Sequence, residues 1–351
     1  MRASQRARWR AFFRDHERKP LSVILAELAE CTLRERELPN HYFANLLYKR
    51  GCTDFRDHVG LRKCLWLMTS PEVHDPDLTG LLDDKVRFHD LMVAHGIRTP
   101  RILAHNSGLD LIAKGKLICC SGPQELHDRL SEIAQEAGQR SVFIKPVSGE
   151  SGEGCEKVAL PDLDPESRGV TELWPQIVEG QYIFQESIAQ HPDLDRVHPM
   201  SVNSIRIDTY LPPQGKPEAI SARFRFGANG SVMDNTSQGG GSIKVDLTTG
   251  RLGKLAIQGL EHGAGRFAEH PDTGVLFREF RIPMFDKAKH LAKECARVIP
   301  NTLVGWDVAL QSDGPTVIEG NWNYNIPRQQ AVCGGVRANP VFGRVLERYG
   351  L

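Results

Sequence analysis

The chain has 351 residues, 40% hydrophobic and 25% charged, enough for two or three globular domains at roughly 100–200 residues each. Lys plus Arg and Asp plus Glu balance at 44 each, which argues against a generally basic nucleic-acid binder. No apolar run reaches the ~18 residues of a bilayer span, and the amino terminus lacks a secretory apolar core. A cytoplasmic protein with no transmembrane segment is expected. The eight cysteines are scattered without C-x-x-C spacing and read as free thiols of a reducing compartment.

Residues 1 to about 75 read as helical. "MRASQRARWRAFFRDHERK" carries arginines with Trp9, Phe12 and Phe13 between them. It is either a solvated helix docking its aromatics on the body or a contact for an anionic membrane surface or protein partner. "PLSVILAELAECTLRERELP" has helical apolar spacing, Pro39 breaks it, and "HYFANLLYKRG" reads as a further helix ending at Gly51. "TSPEVHDPDLTG" (69–80) is rich in turn formers and reads as a linker. A helix up to Gly96 follows, then a short strand after Pro100 and an amphipathic helix over 125–138. "SVFIKPV" and "EKVAL" are strands flanking a glycine loop. "WPQIVEGQYIFQESI" gives helix, then strand. From about residue 200 alternating strands dominate, with a helix over 284–300. "VGWDVALQSDGPTVIEGNWNYN" reads as a hairpin turning at Asp313-Gly314.

The glycine loop "SGESGEG" (148–154) lies between strands, so it is neither a Walker loop nor a dinucleotide fingerprint, both of which need a helix after the glycines. Gly149, Gly152 and Gly154, with Ser148 and Ser151, could form an anion nest, with Lys145 on the incoming strand as a point charge. An idle hairpin is an equal reading at this point. In "TVIEGN", Glu319 and Asn321 are two apart and face one side of their strand, and Asp307 is on the partner strand. Their hard oxygens suit Mg²⁺ shared with phosphate, and carboxylates within such apolar strands need a partner. His89, His191, His198, His262 and His270 show no metal-ligand spacing, and "EHGAGRFAEH" reads as loop.

Taken together, residues 80 to 330 resemble the ATP-grasp superfamily. "DDKVRFHDLMVAHGIRTP" is similar to the start of its smaller lobe, "FIKP" to its second lysine strand, "SGESGEG" to its lid hairpin and "IFQESI" to its hinge. "GWD…IEGN" resembles its metal-binding pattern. "NSIRIDTYL", "MDNTSQGGGSIKVDLTTG" and "VGWDVALQSDGPTVIEGN" are closer still to the sugar-transfer-associated (alpha-L-glutamate ligase-related) ATP-grasp family.

The resemblance implies an α+β, two-lobed ATP-grasp fold with an N-terminal helical region (1–78), a smaller lobe (79–184) and a C-terminal lobe with the metal site (185–351). It implies ATP and Mg²⁺ as cofactors. Lys85, Lys145 and the lid would hold phosphates; Gln185, Glu186 and Ile188 would edge the adenine. Asp307, Glu319 and Asn321 would bind metal. Arg206, with Lys145, is the catalytic candidate. Asn203, Asp208, Arg223, Arg225, Asp234, Asn235, Asn323 and Arg328 are weaker substrate candidates. Several amino-acid ligases of the superfamily carry an arginine where this chain has Gly305, so its role would pass to Arg206, Arg223 or Arg225. The implied activity is ligation of a small-molecule or peptide carboxylate to an amine through an acylphosphate. The alternatives are a kinase for a sugar or polyol hydroxyl, with Asp208 or Asp234 as base, and a non-catalytic ATP-binding module in polysaccharide assembly.

Overall fold

The computed structural model describes residues 3–149, 154–160, 173–230, 234 and 240–351. The fold mixes helix and sheet, with helices at the amino terminus. It divides into two compact units. One comprises Met1–Thr79, Gln190–Pro315 and Gly320–Leu351; the other comprises Gly80–Ala189 and Thr316–Glu319. The N-terminal helices thus belong to the same unit as the C-terminal residues.

In the larger unit, α1 (Ala3–Arg14) buries Phe12 edge-on against Phe43 and Tyr48, while Phe13 stays exposed. α2 (Leu21–Glu35) ends where Arg36 turns left-handed at φ 53°. The expected helix over "HYFANLLYKRG" is only α3 (Asn40–Ala44): Leu46 takes φ 58° and buries its side chain, which ends the helical path. After α4 (Leu61–Thr69), the expected linker is half structured. Pro76 opens α5 (Pro76–Asp83), where its missing N–H costs nothing.

The smaller unit begins near the end of α5. Asp84 caps α6 (Lys85–Ala94) by accepting the N–H groups of Val86 and Arg87. Strands β1 (Ile102–Ser107), β2 (Asp110–Ala113) and β3 (Lys116–Cys119) follow, then α7 (Pro123–Glu136), which buries Leu126, Leu130 and Ala134 at four-residue spacing. β4 (Ser141–Pro146), β5 (Glu156–Ala159), α8 (Trp174–Glu179) and β6 (Tyr182–Glu186) complete it. Its six-stranded sheet runs β3-β2-β1-β6-β4-β5 over a core that includes Leu111, Leu126, Ile144, Ile177 and Phe184.

Back in the larger unit come α9 (Pro192–Asp195), β7 (Ile205–Tyr210), β8 (Glu218–Phe226), β9 (Gly241–Val245), β10 (Ala256–Ile257) and β11 (Arg266–Phe267). Then follow α10 (Phe285–Val298), β12 (Leu303–Gln311), β13 (Gly314–Asn321), α11 (Ile326–Cys333) and α12 (Pro340–Arg348). The seven strands are ordered β11-β10-β9-β8-β7-β12-β13. α10 buries Ala288, Leu291, Ala292 and Cys295, and β12 is buried along nearly its whole length. A central strand covered on both faces tolerates a charge only with a partner, and β12 carries Asp307.

Candidate active site

Antiparallel register brings the charged side chains of the larger unit together. Asp307 on β12 lies opposite Arg206 on β7, and Gly305 lies opposite Asp208. β8 in turn sets Arg223 opposite Arg206 and Ser221 opposite Asp208. Arg206 grips Asp307 with two prongs, Nε donating to Oδ1 and Nη2 to Oδ2, the latter at 2.8 Å. Arg225 Nη2 donates to the same Oδ2 at 2.8 Å. Three of the carboxylate's roughly four acceptor positions thus face arginine.

Arg225 extends the network. Its Nε and Nη2 reach the Ser204 hydroxyl at 3.0 and 2.7 Å, and Ser204 donates to Asp234 Oδ2 at 2.5 Å. Two arginines and two carboxylates alternate along this chain and neutralise one another. Arg206, the expected catalytic arginine, is thus engaged with Asp307. Asp208, with no solvent exposure, accepts the Ser221 hydroxyl at 2.5 Å and faces Arg223 Nη2 at 3.7 Å. Burial pushes its carboxyl up, and the Arg223 charge pulls back.

Gly305 has a steric explanation. A Cβ there would come within 2.8 Å of Tyr324 Cβ and 2.9 Å of both Arg206 Cδ and Asp208 Oδ1. The space an arginine at 305 would need is filled from the neighbouring strand by Arg206.

In the smaller unit, Lys145 is buried on β4 between β5 and β6. Lys85, the first residue of α6, donates from Nζ to the Gly149 carbonyl at 3.0 Å and lies 3.4 Å from that of Val147. Gly149 (φ 132°) and Gly154 (φ 69°) hold backbone conformations that disfavour a side chain, and Ser148 is exposed beside them. The Cys155 thiol is pushed up by burial, drawn down by Lys145 and Lys85, and raised by Glu319. All three charges thus act on Cys155. Cys155, read from the sequence as one of the scattered thiols, directly follows the glycine loop. His89, which shows no metal-ligand spacing in the sequence, bonds Thr99 Oγ1 at 2.6 Å and is held low by burial, with Lys145 also lowering it.

Other expected residues are committed locally. Asn203, fully buried, donates Nδ2 to the His198 carbonyl at 2.7 Å and accepts Ser201 Oγ at 3.2 Å. That occupies a side chain expected to meet substrate. Gln185 Nε2 reaches the Pro100 carbonyl at 3.3 Å, and Glu186 takes Arg101 Nε at 2.6 Å. Ile188 is half-buried. Arg328 Nη2 bonds the Ile257 carbonyl at 3.2 Å, and Asn323 has a buried Oδ1 without a hydrogen bond. Ser151, Gly152 and Asn235 lie outside the described residues.

Glu319 and Asn321 are half-buried at alternate positions of β13, and Asp307 is buried on adjacent β12. Two carboxylates and an amide oxygen are the hard donors Mg²⁺ takes, and Mg²⁺ usually keeps waters or substrate oxygens as further ligands. The residue types match that ion, but Asp307 gives three acceptor positions to Arg206 and Arg225 and would coordinate it only once those bonds rearrange.

Residues 176–338, somewhat less than half of the chain, match the family described as sugar-transfer associated ATP-grasp. Asp307, Glu319, Asn321, Arg206 and Arg225 all fall inside that stretch. Similar solved structures include ATP-grasp ligase PsnB complexed with minimal precursor, Mg and ADP, at TM-score 0.43 and 13% identity. They also include D-cycloserine synthetase DcsG (0.45, 14%) and the D-alanine–D-alanine ligase from Coxiella burnetii (0.42, 10%). The matches cover 80%, 78% and 79% of this chain and 62%, 73% and 62% of those chains, so this chain spans less than two thirds of PsnB. No curated protein matches the sequence. Among the described residues, no helix is long and apolar enough to cross a membrane.

Proposed function

We propose that the chain is an ATP-dependent carboxylate–amine ligase working through an acylphosphate. The observation that carries this reading is Lys85, whose Nζ meets the Gly149 carbonyl of the glycine loop at 3.0 Å, together with buried Lys145 on the strand that leads into that loop. Two ammonium groups at one glycine loop suit the phosphates of a nucleotide, and the Glu319 carboxylate suits its metal. The family match over 176–338 supports the same class.

In this reading Lys145 and Lys85 would hold the phosphates, and Glu319 and Asn321 would hold Mg²⁺, joined by Asp307 where an arginine releases it. The ion supplies charge neutralisation between phosphate oxygens. Arg206 and Arg225, which rest on Asp307, would steady the phosphoryl oxygens during transfer and the tetrahedral oxyanion that forms when the amine adds to the acylphosphate. The γ-phosphoryl passes to the carboxylate and ADP leaves. An amine then displaces phosphate to form the amide.

The kinase alternative is the weaker one on geometry. Asp208 is fully buried between Arg223 and Ser221, and Asp234 accepts from Ser204, so neither presents a ready base.

The test is ATP turnover with Mg²⁺, candidate carboxylates and hydroxylamine. ADP release with hydroxamate is the expected result. A stable phosphorylated product without hydroxamate would overturn the ligase. Glu319→Gln should abolish turnover and Lys145→Ala should weaken nucleotide binding; unchanged values in either would remove that residue from the site.

A further inference from the structure

His198, His270 and Asp272 are far apart in sequence or wrongly spaced for a metal motif, yet the fold gathers them in the larger unit. One ligand atom from each lies within 4.8 Å of the others. His198 Nδ1 is 3.7 Å from Asp272 Oδ2. Tetrahedral ligands about 2.0–2.2 Å from a common ion stand roughly 3.3–3.6 Å apart, so side-chain rotation must draw the set together to bind it.

The surrounding structure orients these groups. His270 Nε2 lies 2.8 Å from the Gly227 carbonyl, which can only accept, so the proton sits on Nε2 and Nδ1 keeps its lone pair. This is the outer hydrogen bond that metal-binding histidines commonly make. The Asp272 N–H now points at that Nδ1 from 3.2 Å, and a cation would take its place. Phe226 and Phe277 pack around the ring. The His198 ring lies against Gly227, where a Cβ would be 2.8 Å from its Nε2.

The backbone is fixed as well. Asn203 Nδ2 and Gln190 Nε2 hold the His198 carbonyl, and Thr273 Oγ1 donates to the Val197 carbonyl at 2.9 Å. That last bond ties the two ligand-bearing segments together, and His270 and Val275 close the turn that carries Asp272. Both histidines are buried, while the Asp272 side chain is 29% exposed and gives access from solvent.

We propose that His198, His270 and Asp272 form a binding site for a divalent transition ion of the zinc class, separate from the Mg²⁺ ligands. Two imidazoles and one carboxylate select such an ion over Mg²⁺ or Ca²⁺, which take oxygen. Solvent completes the coordination. The ion staples the 191–201 segment to the 270–275 turn and, through His270, to the end of β8.

The test is Co²⁺ titration of metal-stripped full-length protein, read by d–d absorption, with Zn²⁺ competition. One saturable equivalent is expected, insensitive to excess Mg²⁺. Asp272→Ala and His198→Gln should each weaken binding by about 100-fold or more. Asp272→Asn keeps the shape of the side chain and should weaken it too, with the metal-free protein melting as wild type does. Absence of a saturable site, or binding unchanged in these variants because a cysteine holds the ion, would overturn the proposal.

Discussion

At Asp307 a buried carboxylate is shared by two guanidinium groups, so its removal leaves two cations in a site built for neutrality. Asp307→Asn is expected to lower the unfolding free energy by about 3–5 kcal/mol, the range for breaking a buried pair from one side. Urea denaturation checks it, and a wild-type midpoint would contradict the pairing. Gly305→Ala is a second test, of space rather than charge. Its Cβ meets Tyr324, Arg206 and Asp208 inside 3 Å, so a cost of about 1–3 kcal/mol is expected in the same experiment. The types of residue here were legible in sequence, because carboxylates within apolar strands demand partners. The partners were not. Which arginine reaches Asp307 depends on the β7–β12 register, and no spacing within either strand encodes that. His198, His270 and Asp272 escaped for the same reason: their proximity is set by loops that meet only after folding.

Among the elements, α6 links local sequence to the site most directly. Asp84 accepts two N–H groups at its first turn, and the next residue, Lys85, reaches back to the Gly149 carbonyl. Asp84→Ala should cost about 1 kcal/mol. Because the cap aims the first turn, nucleotide affinity should fall with it, whereas removing the cap of α12, where Asn339 accepts the N–H groups of Val341 and Phe342, should change stability alone. Calorimetric titration with a non-hydrolysable ATP analogue separates the two. Helices and strands with clean periodicity were readable: α7, α10 and the β12–β13 hairpin fall where the apolar spacing puts them. The misreadings were at turns. "HYFANLLYKRG" has helical composition, but Leu46 adopts a left-handed conformation because burying its side chain outweighs the local preference. "DPDLTG" looks like a linker by composition, yet Pro76 at a helix start is a beginning, not a break.

At the scale of the whole molecule, the N-terminal helices share a unit with residues from the far end of the chain, which linear reading cannot reveal. Their core includes Tyr42, Leu46 and Tyr48, with Leu260 and Ala264 from over 200 positions away. His41 lies beside this core, 2% exposed, and neither ring nitrogen has a hydrogen bond. Burial, with a smaller contribution from His58, lowers its pKa from 6.5 to about 4. The unfolded chain therefore binds a proton between pH 6.5 and 4 that the folded chain refuses. Stability must fall as pH drops through that window and recover above 6.5. Each pKa unit corresponds to about 1.36 kcal/mol, so going from pH 7 to pH 5 should cost about 2 kcal/mol at this one site. Because the N-terminal helices and the C-terminal residues form one unit, the loss should appear in its global unfolding rather than as fraying of α3. Urea denaturation at both pH values measures it. His41→Leu removes the proton and should flatten this part of the pH dependence, even if its packing shifts the absolute stability. An unchanged slope in that variant would mean that another group carries the acid sensitivity.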